Sequence, residues 1–482
     1  MIPLTNRSSA TTQKLQAFLS GAAATTNPTV TVGSYIVPSQ TKPDFAEYRS
    51  APQFTVLAGA TETDIADAPP EGSVKDINYI SIYNADTASV TVTVCVDDNG
   101  TNRILIKAAL ASAQTLYYED KKGWYVSDST TGAPNGPSAI LNAIINGDME
   151  IAQRGTSFAA IADSTYSLDR WIYQKIGATV HTVTQDTDVP TVAQAGRLFT
   201  HSLKLALTTA DIALAATDYC IIGQRIEGYN WRALAQRIVT VSFWIKSPIT
   251  GIHCASLRNS GIDRSCVKEF TIIATNTWEK KTLTFPASPS AGTWDYTTGV
   301  GARLAICLAA GSTWQGTADS YQSSDIVATA NQVNGVNTGI TPYFITGVQL
   351  EAGSVATEFE GRQFQQEFAL CRRYTKVYGG DSTLDAVGVG MAYSTTQAYI
   401  LFPYDVPMRI VPSVSVSAAT DWMVRISNAN PQELTAITAE AGLSKTTGVL
   451  GITVAANLAA GDAVQLHADS TSSARLTLSS EL

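Results

Sequence analysis

Val90, Val92, Val94 and Val96 alternate with Thr91, Thr93 and Cys95, and the turn DDNG follows at once at 97–100. A period of two places successive side chains on opposite faces of an extended chain, so this segment is a half-buried strand. Asn-Gly supplies the left-handed conformations that a two-residue hairpin requires, and Ile104 and Ile106 begin the return strand. The same alternation recurs to the end of the chain. Val239, Val241, Phe243 and Ile245 face one way, with Thr240, Ser242 and Trp244 opposite, and Leu304, Ile306 and Leu308 repeat the pattern. Further strands are expected at Leu116 to Tyr118, Trp124 to Val126, Thr282 to Phe285, Tyr343 to Leu350, Ala398 to Phe402, Ser413 to Val416, Ala463 to Leu466 and Arg475 to Leu478. Charged residues make up only 15% of the 482, and Thr, Ser, Ala, Gly and Asn fill the deficit. Such a composition suits strands and tight turns and argues against a coiled coil. The expected class is all-β and multidomain.

Three segments of helix interrupt that expectation. Leu15, Phe18 and Leu19 share one helical face before Gly21, which predicts a short helix near the start. Asn430-Pro431 followed by Gly442 frames another. The strongest is GRQFQQEFALCRRYTKVYGG at 361–380, where Phe364, Phe368 and Cys371 line one face and the glycines at 379–380 stop it. It reads either as a hinge or trimer-axis element or as a helix packed on a sheet.

Residues 127–138, SDSTTGAPNGPS, are all turn formers and small residues, the composition of a linker. The expected organisation is therefore an N-terminal β-sandwich over 1–126, the linker at 127–138, a central two-sheet sandwich or jelly roll over 139–360, a connecting helix over 361–380, and a C-terminal β domain over 381–482. Charge divides the chain in the same way: 9 basic and 13 acidic residues over 1–137 (net −4), 19 and 19 over 138–378 (net 0), and 4 and 9 over 379–482 (net −5).

A net charge of −9, with no Lys/Arg run longer than two, offers no basic face to displace counterions from phosphates, so no nucleic-acid partner is expected. No apolar stretch reaches bilayer length and the first residues lack a signal-peptide core, so neither membrane insertion nor export is expected. The six cysteines (95, 220, 254, 266, 307, 371) contain no CxxC and read as buried reduced thiols, although Cys254 and Cys266 flank a turn where a pair could form. The four histidines (181, 201, 253, 467) have no metal-like or base-like spacing, and no G-x-S-x-G, P-loop or HExxH is present. An enzyme is disfavoured.

The central segment carries INGDMEIAQRG at 145–155, YSLDRW at 166–171, GQRIEGYNWRAL at 223–234, VTVSFWIKS at 239–247, RNSGIDRSCVKEFTI at 258–272, NTWEKKTLTFP at 276–286 and TPYFITGVQLEAGSVATEFE at 341–360, then ALCRRYTKVY at 369–378. These strings resemble the central jelly-roll region of bacteriophage tail-fibre and related virion proteins, and the opening is similar to that of carbohydrate-binding jelly rolls. The resemblance covers about 139–378, and the segment ending TSSARLTLSSEL resembles the terminal β domain of the same phage proteins. It implies a homotrimeric fibre made in the host cytoplasm and carried on the virion. The N-terminal domain would attach to other virion proteins, and the rest would meet host-surface polysaccharide. A head or tail decoration protein without a receptor role and a glycan-degrading tail spike are the rival implications.

In the carbohydrate-binding family the NGD-x-E opening helps hold a structural calcium ion. Asp148 and Glu150 match it, but Thr346 and Gly347 stand where an aspartate of the last strand is expected. An acidic pair capping a turn is the equal alternative. For glycan contact, sugar rings need exposed aromatic faces with polar groups beside them. Trp294, Tyr296, Trp314 and Tyr321 sit in loops rich in small polar residues and are the candidate carbohydrate-binding residues, with burial between subunits as the other reading. Trp231, Trp244 and Trp278 read as framework.

Overall fold

The structure, a computed structural model, describes residues 2–5, 13–38, 48–49, 52–71, 73–120, 123–127, 142–339, 342–426 and 431–482. The chain forms two compact units, Met1–Leu141 with Ala352–Val355, and Asn142–Glu351 with Ala356–Leu482. The linker expected at 127–138 lies, from 128 on, outside the described residues.

The first unit is a two-sheet sandwich. One sheet runs in the order Gly123–Ser127, Thr115–Glu119, Ser73–Tyr83, Thr29–Pro38, Tyr48–Arg49, with Ile2–Thr5 and Gln53–Val56 added to its long central strands. The other runs Thr63–Ala66, Gln13–Leu19, Val90–Asp98, Thr101–Leu110. The DDNG hairpin forms as expected: Asp98 opposes Thr101, Asn99 and Gly100 take φ of 55° and 86°, and the Gly100 N–H donates to Asp97 Oδ1 at 2.7 Å. The helix expected near the start is a strand instead. Leu15, Ala17 and Leu19 are buried at a spacing of two, and the segment pairs with Val90–Asp98 along its whole length.

The second unit opens with a jelly-roll-like sandwich. Its six-stranded sheet has the order Ser157–Phe158, Val180–Asp186, Ser202–Thr209, Tyr343–Ala352, Val239–Lys246, Trp278–Phe285. Its seven-stranded sheet has the order Thr165–Tyr166, Trp171–Ile176, Tyr219–Glu227, Val300–Ala310, Gly251–Asn259, Ser265–Ile272, Tyr321–Gln322. Two polar bridges cross the core between them. His181 Nδ1 meets Tyr173 Oη at 2.8 Å, and His253 Nε2 meets Tyr343 Oη at 3.3 Å while its ring stacks on Phe270. Burial pushes both imidazoles down to about 4, so they stay neutral in the core.

After the jelly roll the helix is shorter than expected. It covers Phe364–Arg372, and Thr375–Tyr378 is already a strand in a small sheet with Leu476–Ser479 and Ser413–Val416. A closed six-stranded barrel completes the chain: Ala386–Ala392, Gln397–Pro403, Thr447–Val454, Gln432–Ala439, Trp422–Ile426, Ala463–Ala468. The short helix expected between Pro431 and Gly442 is thus the strand Gln432–Ala439, which the barrel requires for closure. All six cysteines are free and buried. Cys254 opposes Glu269 while Leu257 opposes Cys266, so Cys254 and Cys266 are three residues out of register.

Helix, small sheet and jelly roll are joined by buried charge. Glu227 accepts from Arg373 Nε (2.9 Å), Arg373 Nη2 (2.6 Å) and the Tyr374 hydroxyl (2.6 Å). Glu481 takes Arg154 and Arg170 on its two carboxylate oxygens, and Arg409 donates to the main-chain oxygens of Ser480 and Glu481 at 2.7 Å each. Among the described residues, no helix is long and apolar enough to cross a membrane.

Candidate functional site

Along Val239–Lys246 the four apolar residues point between the sheets, leaving Thr240, Ser242, Trp244 and Lys246 on the outer face. Trp244 is only half-buried there. The neighbouring strand explains how other rings can approach it. Gly347 has φ of 62°, and a Cβ at that position would meet Phe199 Cζ at 2.8 Å and Trp244 Cδ1 at 3.2 Å. Glycine is needed both for the backbone and to let Phe199 close over the strand beside Trp244. Phe199 packs edge-on against Phe359 (5.5 Å between centroids). The Arg197 guanidinium lies 5.1 Å and 4.9 Å from those two rings and donates from Nη1 to the Phe359 carbonyl at 2.9 Å. With Lys280 and Glu358 these residues enclose a cavity of about 130 Å³ on the outer face of the six-stranded sheet. A second cavity of about 240 Å³ shares Arg197 and Phe199 with the first. It is lined by Asp148, Glu150, Arg362, Phe364 and Glu367 among others. An aromatic face flanked by cations and carboxylates matches the two demands of a sugar, apolar stacking and hydroxyl hydrogen bonds.

Asp148 and Glu150 do line this second cavity, as carboxylates with different surroundings. Glu150 accepts from the Thr200 hydroxyl and meets His201 Nδ1 at 3.0 Å. Burial, and then the Glu367 carboxylate, raise Asp148 to about 6. Glu367 itself is held by Arg362 at 2.9 Å and by the Asn146 N–H. At the position of the expected aspartate, the Thr346 hydroxyl donates to the His201 carbonyl at 2.8 Å. Hard cations need several free oxygens. Among the described residues no three His, Cys, Asp or Glu side chains form a group able to hold a metal, so any ion here would have to draw on carbonyl oxygens beside Asp148 and Glu150.

The four candidate loop aromatics are divided. Trp294 stacks on Trp231 (5.6 Å, interplanar 11°), donates its indole N–H to the Ala291 carbonyl at 3.1 Å, and meets Tyr321 edge-on at 6.4 Å. Trp314 lies elsewhere, edge-on to Tyr219 at 4.8 Å with its N–H on the Thr217 carbonyl at 2.7 Å, and it packs against the buried cluster that includes Ile221, Cys254 and Ile326. Tyr296 is exposed. Reading Trp244 as framework missed its open side. The signal was present in its own strand, since Trp244 shares its parity with Thr240, Ser242 and Lys246.

No family model matches the sequence, and no curated protein is similar to it. Solved structures that match include the enzymatically active domain of tailspike protein 4 from bacteriophage CBA120, at 18% identity and a TM-score of 0.24, over 44% of this chain and 21% of that one. They also include the family 11 carbohydrate-binding module of the cellulase Lic26A-Cel5E of Clostridium thermocellum (10% identity, TM-score 0.24, 42% of this chain and 97% of that one). A tandem CBM22 domain of Xyn10C from Paenibacillus barcinonensis matches at 11% identity and a TM-score of 0.23, over 73% and 86% of the two chains. This chain thus spans about a fifth of the tailspike domain, and at such scores the likeness carries no argument about function.

Proposed function

We propose that this chain is a non-enzymatic glycan-binding protein that serves as a fibre-like structural protein of a phage particle, binding host-surface polysaccharide during adsorption. The observation that carries the glycan reading is the groove on the six-stranded sheet, where half-buried Trp244 and the Phe199–Phe359 pair stand beside Arg197, Lys280 and Glu358. The virion role rests on the strings between 145 and 378 that resemble phage fibre proteins. In this reading the N-terminal sandwich attaches to other virion proteins.

Self-association as a homotrimer is part of the proposal, and one surface supports it. On the outer face of the barrel, Val389 opposes Leu401 and Met391 opposes Tyr399, all at least 41% exposed, with Tyr393 stacked on Tyr399 at 4.6 Å. A closed barrel has no strand edge to pair, so an uncharged apolar stripe of this kind is covered face-on. Light scattering on the purified protein tests the oligomer, and a monomer contradicts it. Glycan binding is tested by titrating the full-length protein with a panel of bacterial surface polysaccharides. Saturable binding that Trp244→Ala weakens supports the reading, and absence of binding to every member of the panel overturns it.

A further inference from the structure

The seven-stranded sheet carries a row of like charges on one face. Its register sets Arg225 opposite Arg303 and Arg303 opposite Arg258 on three neighbouring strands. Ser265 and then Gln322 continue the same row. Residues paired in this way point to the same face, so three guanidiniums stand side by side. Two positions along, that face carries Gly223, Ala305, Ser256 and Val267, all buried, Ala305 and Val267 in one cluster with Ile326 and Val327, so the row is open only on its arginine side.

Like charges placed directly opposite one another destabilise a sheet, and the chain compensates this row only in part. Asp325 Oδ1 accepts from Arg258 Nη1 at 2.8 Å. Arg225 Nη1 donates to the main-chain oxygen of Leu482, an oxygen that the Tyr166 hydroxyl also reaches at 2.7 Å. Arg303, in the middle, makes one hydrogen bond among the described residues, from Nη2 to the Ser260 carbonyl at 3.1 Å. The Nε–H groups of all three arginines are buried without a partner. Burial, and then the Arg225 and Arg258 charges, hold Arg303 down to about 10, which leaves it cationic at neutral pH. Among the described residues, Arg303 is hydrogen-bonded to no carboxylate, in a half-buried setting. A planar guanidinium with free donors is the group best shaped to grip a carboxylate through two parallel hydrogen bonds.

We propose that this arginine row is a second ligand site, on the opposite sheet from the Trp244 groove, which binds the carboxylate of an acidic sugar, with Arg303 as its specificity-determining residue. The proposal rests on the glycan-binding reading for the sugar and on the row itself for the carboxylate. It is tested by titrating the full-length protein at low salt with an oligogalacturonate, with its fully methyl-esterified counterpart, and with oligosialate as a second carboxylate source. The wild-type protein is expected to bind at least one of the two acids about tenfold or more tighter than the ester. Arg303→Gln is expected to abolish that preference. Arg303→Lys, which keeps the charge and loses the fork, should recover little of it. Equal affinity for acid and ester, or a preference that survives Arg303→Gln, overturns the proposal. Binding of neutral glycans alone overturns it while the glycan-binding reading stands, whereas no binding of any glycan removes both.

Discussion

Replacing Glu227 by Gln tests whether the jelly roll and the region after it are fastened by the ion pair that joins them. The Glu227 side chain is 1% exposed and receives three hydrogen bonds, two from Arg373 and one from Tyr374. The amide keeps the size but turns an NH₂ toward the Arg373 donors, so the fork is lost and donors face each other. Breaking one side of a buried pair costs about 3–5 kcal/mol. Arg373 is 31% exposed and can turn to water, which places the cost near the lower end, about 3 kcal/mol. The unit that contains both regions has roughly 340 residues. At about 2.1 cal/mol/K of unfolding entropy per residue, that is about 0.7 kcal/mol/K, so the expected fall in Tm is about 4 °C. Differential scanning calorimetry reads this directly. A shift below about 1 °C, or two resolved transitions of which only one moves, would refute the view that the pair ties the two regions into one cooperative block.

Other consequences can be checked with simple reagents. Asp148 is raised to about 6 in the fold, above its unfolded value, so its proton is held more tightly when folded. Its contribution is fully present below about pH 4 and is lost as pH rises through about 6. Asp148→Asn should therefore raise Tm at pH 7, by at most about 3 kcal/mol of stability, and change little at pH 4; a lower Tm at pH 7 contradicts this. EDTA should leave the wild-type melting curve unmoved if no calcium is held, and a fall would support a structural calcium ion at Asp148 and Glu150. Burial pushes the thiols up, Cys220 and Cys266 to about 12 each, and alkylation needs the thiolate. Iodoacetamide at pH 8 should leave the native protein unlabelled and modify all six cysteines after denaturation; labelling of the native chain would show that one of them is accessible.

Much of the architecture is legible where a single strand carries its own period. The Val90–Val96 strand and its DDNG turn form as read, because a two-residue turn with Asn-Gly leaves one register. Segments that satisfy two periods are not decidable locally. Leu15, Phe18 and Leu19 suit a helix as well as Leu15, Ala17 and Leu19 suit a strand, and pairing with Val90–Asp98 decides between them. Between Pro431 and Gly442, closure of the barrel overrides the flanking breakers. The binding surfaces are harder still. The groove at Trp244 depends on Phe199, Gly347 and Phe359, which lie far apart in sequence, and Arg225, Arg258 and Arg303 meet only through strand register. The loop aromatics were visible, but their stacking partners Trp231 and Tyr219 were not.

The central claim, that the chain binds glycan through the groove on its six-stranded sheet, is tested most directly by intrinsic tryptophan fluorescence during titration with host-surface polysaccharide, comparing the wild-type protein with Trp244→Ala. The account predicts a saturable change for the wild type and a loss of affinity of about fivefold to thirtyfold for the variant, since stacking on one aromatic ring contributes on the order of 1–2 kcal/mol. Unchanged affinity in a folded Trp244→Ala protein would contradict it and move the site away from this groove.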